Sequence, residues 1–206
     1  SDVEIIIAVG GWGQSDAFPV IASDSTLRAT FIENLKSYVL QHGYDGVDLD
    51  WEYPSNANRE NVTKLIREMH AAFEQEDKNI GISIAMPSVD WQNGYNLPAI
   101  LDYVEWLCLM TYDFHGSWTD RGGHNSPLYS PQNADCNTGS IDQSVQYYLR
   151  KGVPADKILA GLASYGRVFN SSVICGKSTP GNGNGASISY ADAMDRLENG
   201  WSYHWD

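Results

Sequence analysis

Basic residues are scarce in this chain: 13 Lys and Arg stand against 26 Asp and Glu, for a net charge of −13. A field of that sign repels nucleic acid and anionic lipid, and it suits a neutral or cationic ligand. Long apolar runs are missing too. No stretch approaches the roughly 20 residues that cross a bilayer, so no membrane partner is expected. No signal peptide is visible, and because the apolar run Ile5 to Val9 opens the chain, an upstream segment is expected to precede Ser1. There are only three cysteines. Cys108 sits in an apolar run and reads as a buried thiol. Cys136 and Cys175 lie in polar loops, free to pair with each other or for one to seek a partner outside the chain. Internal repeats are absent, and the Gly/Asn loop at 181–185 is the one low-complexity stretch.

What is present is a folded chain. Apolar residues make up 42%, with 7 Trp and 12 Tyr, which disordered chains do not resemble. A length of 206 residues suffices for one domain with a real core. Apolar runs alternate with helical patterns. Strands are predicted over 5–9, 46–51, 80–86, 105–111 and 157–163. Helices are predicted over 25–41, 58–75, 141–151 and 190–198, with a short one over 97–103. Leu27, Phe31, Ile32, Leu35 and Val39 mark the buried face of the first helix, and Ser23, Asp24 and Ser25 are its cap candidates. Val62, Leu65, Ile66, Met69 and Phe73 mark the second. Strand–helix alternation with strands apolar on both faces predicts an α/β fold with a parallel sheet. The composition changes from about residue 170, where the tail reads as the start of an inserted subdomain.

The most informative segment is DGVDLDWE, Asp45 to Glu52. Alternation along a strand puts Asp48, Asp50 and Glu52 on one face and Val47, Leu49 and Trp51 on the other. Three carboxylates in a row repel one another unless a proton is shared or a cation sits among them. Such crowding drives pKa values apart and leaves an acid beside a charged neighbour. A hard cation is the alternative occupant, although Asp-x-Asp-x-Glu is not the spacing of a calcium loop and no metal is expected. Asp45 falls on the other side and reads as structural, bonding backbone at the turn. Gly10-Gly11-x-Gly13 lacks the spacing of a dinucleotide fingerprint, and no cofactor is expected.

In parallel α/β folds, sites form at the C-terminal ends of the strands. Gly10-Gly11-Trp12, Asp50-Trp51-Glu52-Tyr53, Met86-Pro87, Met110-Thr111-Tyr112-Asp113 and Tyr165-Gly166-Arg167 collect there. Carboxylates and aromatic rings from separate strand ends suggest a groove for a stacked, hydroxyl-rich ligand. His115 and His124 show no metal spacing and read as loop residues.

DGVDLDWEYP resembles the catalytic signature of the family 18 glycoside hydrolases, the chitinases, and MTYDFHGSW, HNSPLY and GLASYGR resemble later segments of that family in the right order. The resemblance implies a (β/α)8 TIM barrel, residues 1–169, whose first two strands precede Ser1 and whose last follows Asp206, with residues 170–206 beginning the inserted α+β subdomain. It implies hydrolysis of β-1,4 bonds in chitin or N-acetylglucosamine oligosaccharides, by a secreted monomer. Glu52 would be the general acid and then the base. The substrate's 2-acetamido oxygen, rather than a second carboxylate, would attack the anomeric carbon, with retention of configuration. Asp50 would orient the acetamido N–H, Asp48 would share a proton with it, and Tyr112 would hold the acetamido oxygen. Trp12, Tyr53, Met110, Asp113, Tyr165 and Arg167 would line the sugar sites. Two departures matter. Ala8 stands where the family often has a serine that bonds the buried aspartate, and the family's last-strand Trp is not in these residues, so the isolated chain is expected to be inactive. A sugar-binding lectin on the same barrel, a hydrolase of the chitobiose core of N-glycans, and an inhibitor or interaction protein are the other readings; retention of Glu52 speaks against the lectin.

Overall fold

The computed structural model describes residues 3–130, 138–171, 175–177 and 184–204; Cys136, most of the Gly/Asn loop and Trp205 lie outside them. In chain order the elements are β1 (Ile6–Gly10), α1 (Phe18–Ser23), α2 (Ser25–His42), β2 (Gly46–Asp50), α3 (Arg59–Phe73), β3 (Gly81–Pro87), α4 (Leu97–Ile100), β4 (Trp106–Met110), α5 (Ile141–Arg150), β5 (Ile158–Ala160), β6 (Tyr165–Val168), β7 (Ala186–Ser189) and α6 (Tyr190–Glu198). They fall into two compact units, Ser1–Met110 with Gln146–Ala160, and Thr111–Val145 with Gly161–Asp206.

The first unit holds a five-stranded sheet in the order β1-β2-β3-β4-β5, parallel throughout. A doubly wound sheet reverses its strand order at a switch point. This order never reverses, so the sheet is wound in one sense, as five consecutive strands of a (β/α)8 barrel are. Every residue of β3 is buried, as a sheet covered on both faces requires.

Helix α2 begins at Asp24, whose Oδ1 accepts from Thr26 N (2.8 Å) and Leu27 N (2.9 Å), and ends at Gly43 in the left-handed region. These caps satisfy end groups that the helix itself cannot. Its buried face differs from the expected one by a residue: Leu27 is exposed and Arg28 is buried. Arg28 reaches Glu68 of α3 through Nε (2.9 Å) and Nη2 (2.7 Å) and donates Nη1 to Ala22 O (2.8 Å). A forked guanidinium with all these partners can be buried where an unpaired charge cannot. The apolar face predicted for α3 is buried as expected. Asp45 is also structural as expected: its Oδ2 accepts from Ile5 N (2.8 Å) and its Oδ1 pairs with Lys78 (2.9 Å). Lys157, predicted to open the fifth strand, lies instead in a 3-10 turn, because its ammonium is drawn to Leu101 O (2.8 Å) and Val104 O (2.6 Å).

In the second unit β6 pairs antiparallel with β7, and α6 follows, capped by Ser189. Tyr165-Gly166-Arg167, expected at the C-terminal end of a strand of the parallel sheet, is therefore strand in a sheet of its own. Cys175 is disulfide-bonded. His115 is buried, its Nδ1 within 3.1 Å of His124 O and of Thr138 Oγ1, and burial lowers its pKa. It ties loop to loop as a neutral ring.

Candidate active site

Strand β2 delivers the acidic row. Val47, Leu49 and Trp51 are buried, with Trp51 stacked on Phe18 at 5.3 Å, while Asp48, Asp50 and Glu52 are half-buried on the other side. The strand ends at Asp50, and the chain turns from Trp51. Ser15 sets that turn. Its hydroxyl lies 3.1 Å from Gly11 O and 3.3 Å from Asp50 O and accepts from Glu52 N at 3.0 Å. Gly11 N donates to Asp50 O (2.7 Å). Gly10 has φ +109°, and a Cβ there would lie 2.1 Å from Asp50 O, so only glycine lets β1 pass this close to the acidic strand.

Within the row, the register places Asp48 between Ala8 of β1 and Ser83 of β3. Ser83 Oγ donates to Asp48 Oδ1. The hydroxyl that Ala8 does not provide thus comes from the other neighbouring strand. Asp50 is held differently: its Oδ1 is buried without a hydrogen-bond partner. Burial, then the charges of Glu52 and Asp48, push its carboxyl up to about 6. Such a group takes up a proton near neutrality while its neighbours repel a second negative charge. Among the described residues, no group of three or more His, Cys, Asp or Glu side chains is placed to hold a metal ion.

Other predicted residues of the first unit stand nearby in the chain. Trp12 is 80% exposed on the turn after β1. Tyr53 meets Trp91 edge-on at 4.7 Å. Met110 closes β4, half-buried. Tyr95 is buried, with its hydroxyl 3.4 Å from Trp51 O.

The second unit gathers Tyr112, Asp113, Tyr165 and Arg167. Tyr165 and Arg167 share a face of β6 and converge on Asp113 Oδ1, at 2.7 Å from Tyr165 Oη and at 3.1 and 2.5 Å from the Arg167 Nε and Nη2. Burial, then the bond to Asp113, raises the Tyr165 phenol. Asp113 takes a left-handed backbone (φ 59°), which Asp tolerates better than most residues. Tyr112 packs edge-on against Tyr165 at 6.1 Å. Trp118 is held under the Arg167 guanidinium at 5.0 Å, a cation–π contact that orients an otherwise exposed ring. This polar and aromatic set offers hydroxyl and carboxylate groups beside flat apolar faces, the combination a sugar requires.

Sequence reasoning named the three acids but missed Ser15 and Ser83. Only the register could have found them, because each reaches the row from a distant strand or turn.

The chain as a whole is similar to known proteins. Residues 1–206 match the sequence profile of the glycosyl hydrolases family 18. Chitinase 1 of Aphanocladium album is 34% identical over 199 residues, covering 90% of this chain and 46% of that protein. A chitinase from Trichuris suis superposes with a TM-score of 0.91 at 31% identity, over 100% of this chain and 61% of that one. Catalytic domain 2 of an Ostrinia furnacalis group II chitinase, a mutant solved with (NAG)5, superposes with a TM-score of 0.89 at 25% identity, over 99% and 60%. The chain spans less than half the length of such curated relatives. With a profile match along all of its length and an acidic row on the second of five parallel strands, the chain belongs to glycosyl hydrolase family 18.

Proposed function

We propose that the protein carrying this chain hydrolyses β-1,4 bonds in chitin and N-acetylglucosamine oligosaccharides, with retention of configuration and with the substrate's own acetamido group as nucleophile. The carrying observation is Asp50: a half-buried carboxyl, one oxygen without a partner, pushed up to about 6 between two other acids. A carboxyl that gains and loses a proton near neutrality fits a group that must bind an acetamido N–H and then face a positive oxazolinium. Glu52 donates its proton to the glycosidic oxygen as the acetamido oxygen attacks C1. It then takes a proton from the water that opens the oxazolinium, returning to its starting state. Asp48 carries the neighbouring negative charge. Tyr112 holds the acetamido oxygen, a positioning effect that in favourable cases is worth several kcal/mol. Trp12, Tyr53, Met110, Asp113, Tyr165 and Arg167 line the sugar sites.

Residues 170–206 are the start of the inserted subdomain that follows the barrel residues 1–169, a reading supported by β7 and α6, an α+β pair within that range. We assign the protein to the extracellular space, as a monomer; among the described residues no helix is long and apolar enough to cross a membrane.

The test uses the full-length protein and N-acetylglucosamine oligomers. The first-formed product should be the β-anomer, a thiazoline analogue of the oxazolinium should compete, and Glu52→Gln should abolish turnover while oligosaccharide binding persists. An inverted anomer would remove the acetamido step, and full activity in Glu52→Gln would remove Glu52 from its role.

A further inference from the structure

Asn125 has no part in the mechanism above, yet its half-buried amide joins the two segments that carry the sugar-lining set of the second unit. Its Oδ1 accepts from Asp113 N at 3.2 Å and its Nδ2 donates to Tyr165 O at 3.1 Å. Its main-chain oxygen accepts from Phe114 N at 3.1 Å. The next residue, Ser126, donates Oγ to Thr111 O at 2.6 Å. Residues 125 and 126 thus run beside 111–114 and hold that segment at three points. Two of these bonds take the N–H groups on either side of the Asp113 Cα. Asp113 has a φ of 59°, a conformation that a residue other than glycine keeps only where its surroundings fix it. Tyr165 is the first residue of β6, so the same amide ties that strand to the turn.

We propose that Asn125 is a positioning residue for sugar binding: its side-chain amide fixes the left-handed turn at Asp113 against β6, so that the Asp113 carboxylate meets the Tyr165 hydroxyl and the Arg167 guanidinium. The inference rests on the reading that Tyr112, Asp113, Tyr165 and Arg167 line the sugar sites. The chemistry singles out an amide. Asp113 N needs an acceptor and Tyr165 O takes a donor, and asparagine carries one of each on a single planar group. An ionised aspartate at this position only accepts, so it keeps the first bond and loses the second; alanine loses both. Without the amide, Asp113 is free to relax out of the left-handed region. Its Oδ1 then no longer stands 2.7 Å from Tyr165 Oη and 3.1 Å from Arg167 Nε, and the sugar meets a carboxylate out of place.

Two measurements on the full-length protein test this. The first needs no sugar: hydrogen exchange at the Asp113 amide, which reports whether that N–H is held. Exchange should speed up by about tenfold or more in Asn125→Ala and stay near the parental rate in Asn125→Asp, where a carboxylate oxygen still accepts. The second is calorimetric binding of an N-acetylglucosamine pentamer in a Glu52→Gln background, as a double-mutant cycle between positions 125 and 113. Asn125→Ala and Asp113→Ala should each weaken binding by about tenfold. The two together should weaken it no more than the larger single loss, because Asn125 acts through Asp113; a residue that only supports the fold would add its own loss. Equal exchange rates in Asn125→Ala and Asn125→Asp, parental binding in Asn125→Ala, or a double variant weakened by the product of the two single losses would overturn the proposal. Parental binding in Asp113→Ala would sink the sugar-site reading itself, and the proposal with it, whatever the exchange rates.

Discussion

At the scale of single residues, the acidic row was legible because a strand repeats every two residues, and three acids at that spacing admit few explanations. Its supports were not legible. Ser15 reaches Glu52 across 37 positions and Ser83 reaches Asp48 across 35, and no local periodicity reports contacts of that kind. The same holds for Trp118, which Arg167 holds in place from strand β6. Asp50 gives the sharpest prediction. Its carboxyl titrates at about 6 in the fold and at about 3.9 in an unfolded chain. The folded state therefore binds this proton more tightly, and the contribution to stability is complete below about pH 4, declines as pH rises and is gone above about pH 6. Asp50→Asn removes the burden of a buried charge. Relative to the parent it should gain on the order of 1 kcal/mol, about 2–4 °C in Tm for a chain of this size, at pH 7.5 but not at pH 4. The same variant should lose most of its turnover while retaining oligosaccharide binding, since a site that needs a strained acid is less stable for having it. Melting curves at the two pH values decide the matter; a variant no more stable than the parent at pH 7.5 would show that Asp50 carries no such burden.

At the scale of elements, the first four strands and the long helices were read to within a residue or two because their apolar patterns are strong, whereas the fifth strand, predicted over 157–163, ends at Ala160. α3 buries the face that its spacing predicts. α2 does not, since pairing with Glu68 draws Arg28 inward and leaves Leu27 outside; propensity and pattern see the charge but not its partner. The β6–β7 pair escaped because strands of four residues, among them Ala186–Ser189, have too short a pattern to declare themselves. Two substitutions probe how elements are joined. In Gly10→Ala the new Cβ would fall 2.1 Å from Asp50 O and 2.7 Å from the Phe18 ring, at φ +109°. The backbone of β2 cannot yield to it, so a loss of roughly 3 kcal/mol or more is expected. Tyr148 of α5 donates its buried hydroxyl to Pro87 O at the end of β3 (2.7 Å). Tyr148→Phe should lose about 1–2 kcal/mol by leaving that carbonyl unsatisfied. Urea unfolding of both variants gives the ranking, and a Gly10→Ala protein as stable as Tyr148→Phe would contradict the close approach of β1 to β2.

At the scale of the whole molecule, the five-stranded parallel sheet followed from strand–helix alternation, whereas winding in one sense was expected only through the family resemblance of DGVDLDWEYP and the later segments, and the strand order bears it out. The net charge of −13 acts at this scale as well. A neutral N-acetylglucosamine chain feels no long-range force from it, and its recognition rests on contacts shorter than the Debye length of about 10 Å at 0.1 M salt. A partly deacetylated chain carries ammonium groups and is drawn in, so encounter becomes faster at low ionic strength. If the proposed activity holds, kcat/KM for fully acetylated oligomers should change less than about twofold between 20 and 500 mM salt, whereas oligomers with a glucosamine away from the cleaved bond should lose several-fold over that range. The comparison is internal, because both substrates meet the same acids at the reacting bond and differ only in how the field of the molecule treats them on approach. Equal salt dependence for the two would mean that the acidic excess lies too far from the groove to steer anything into it.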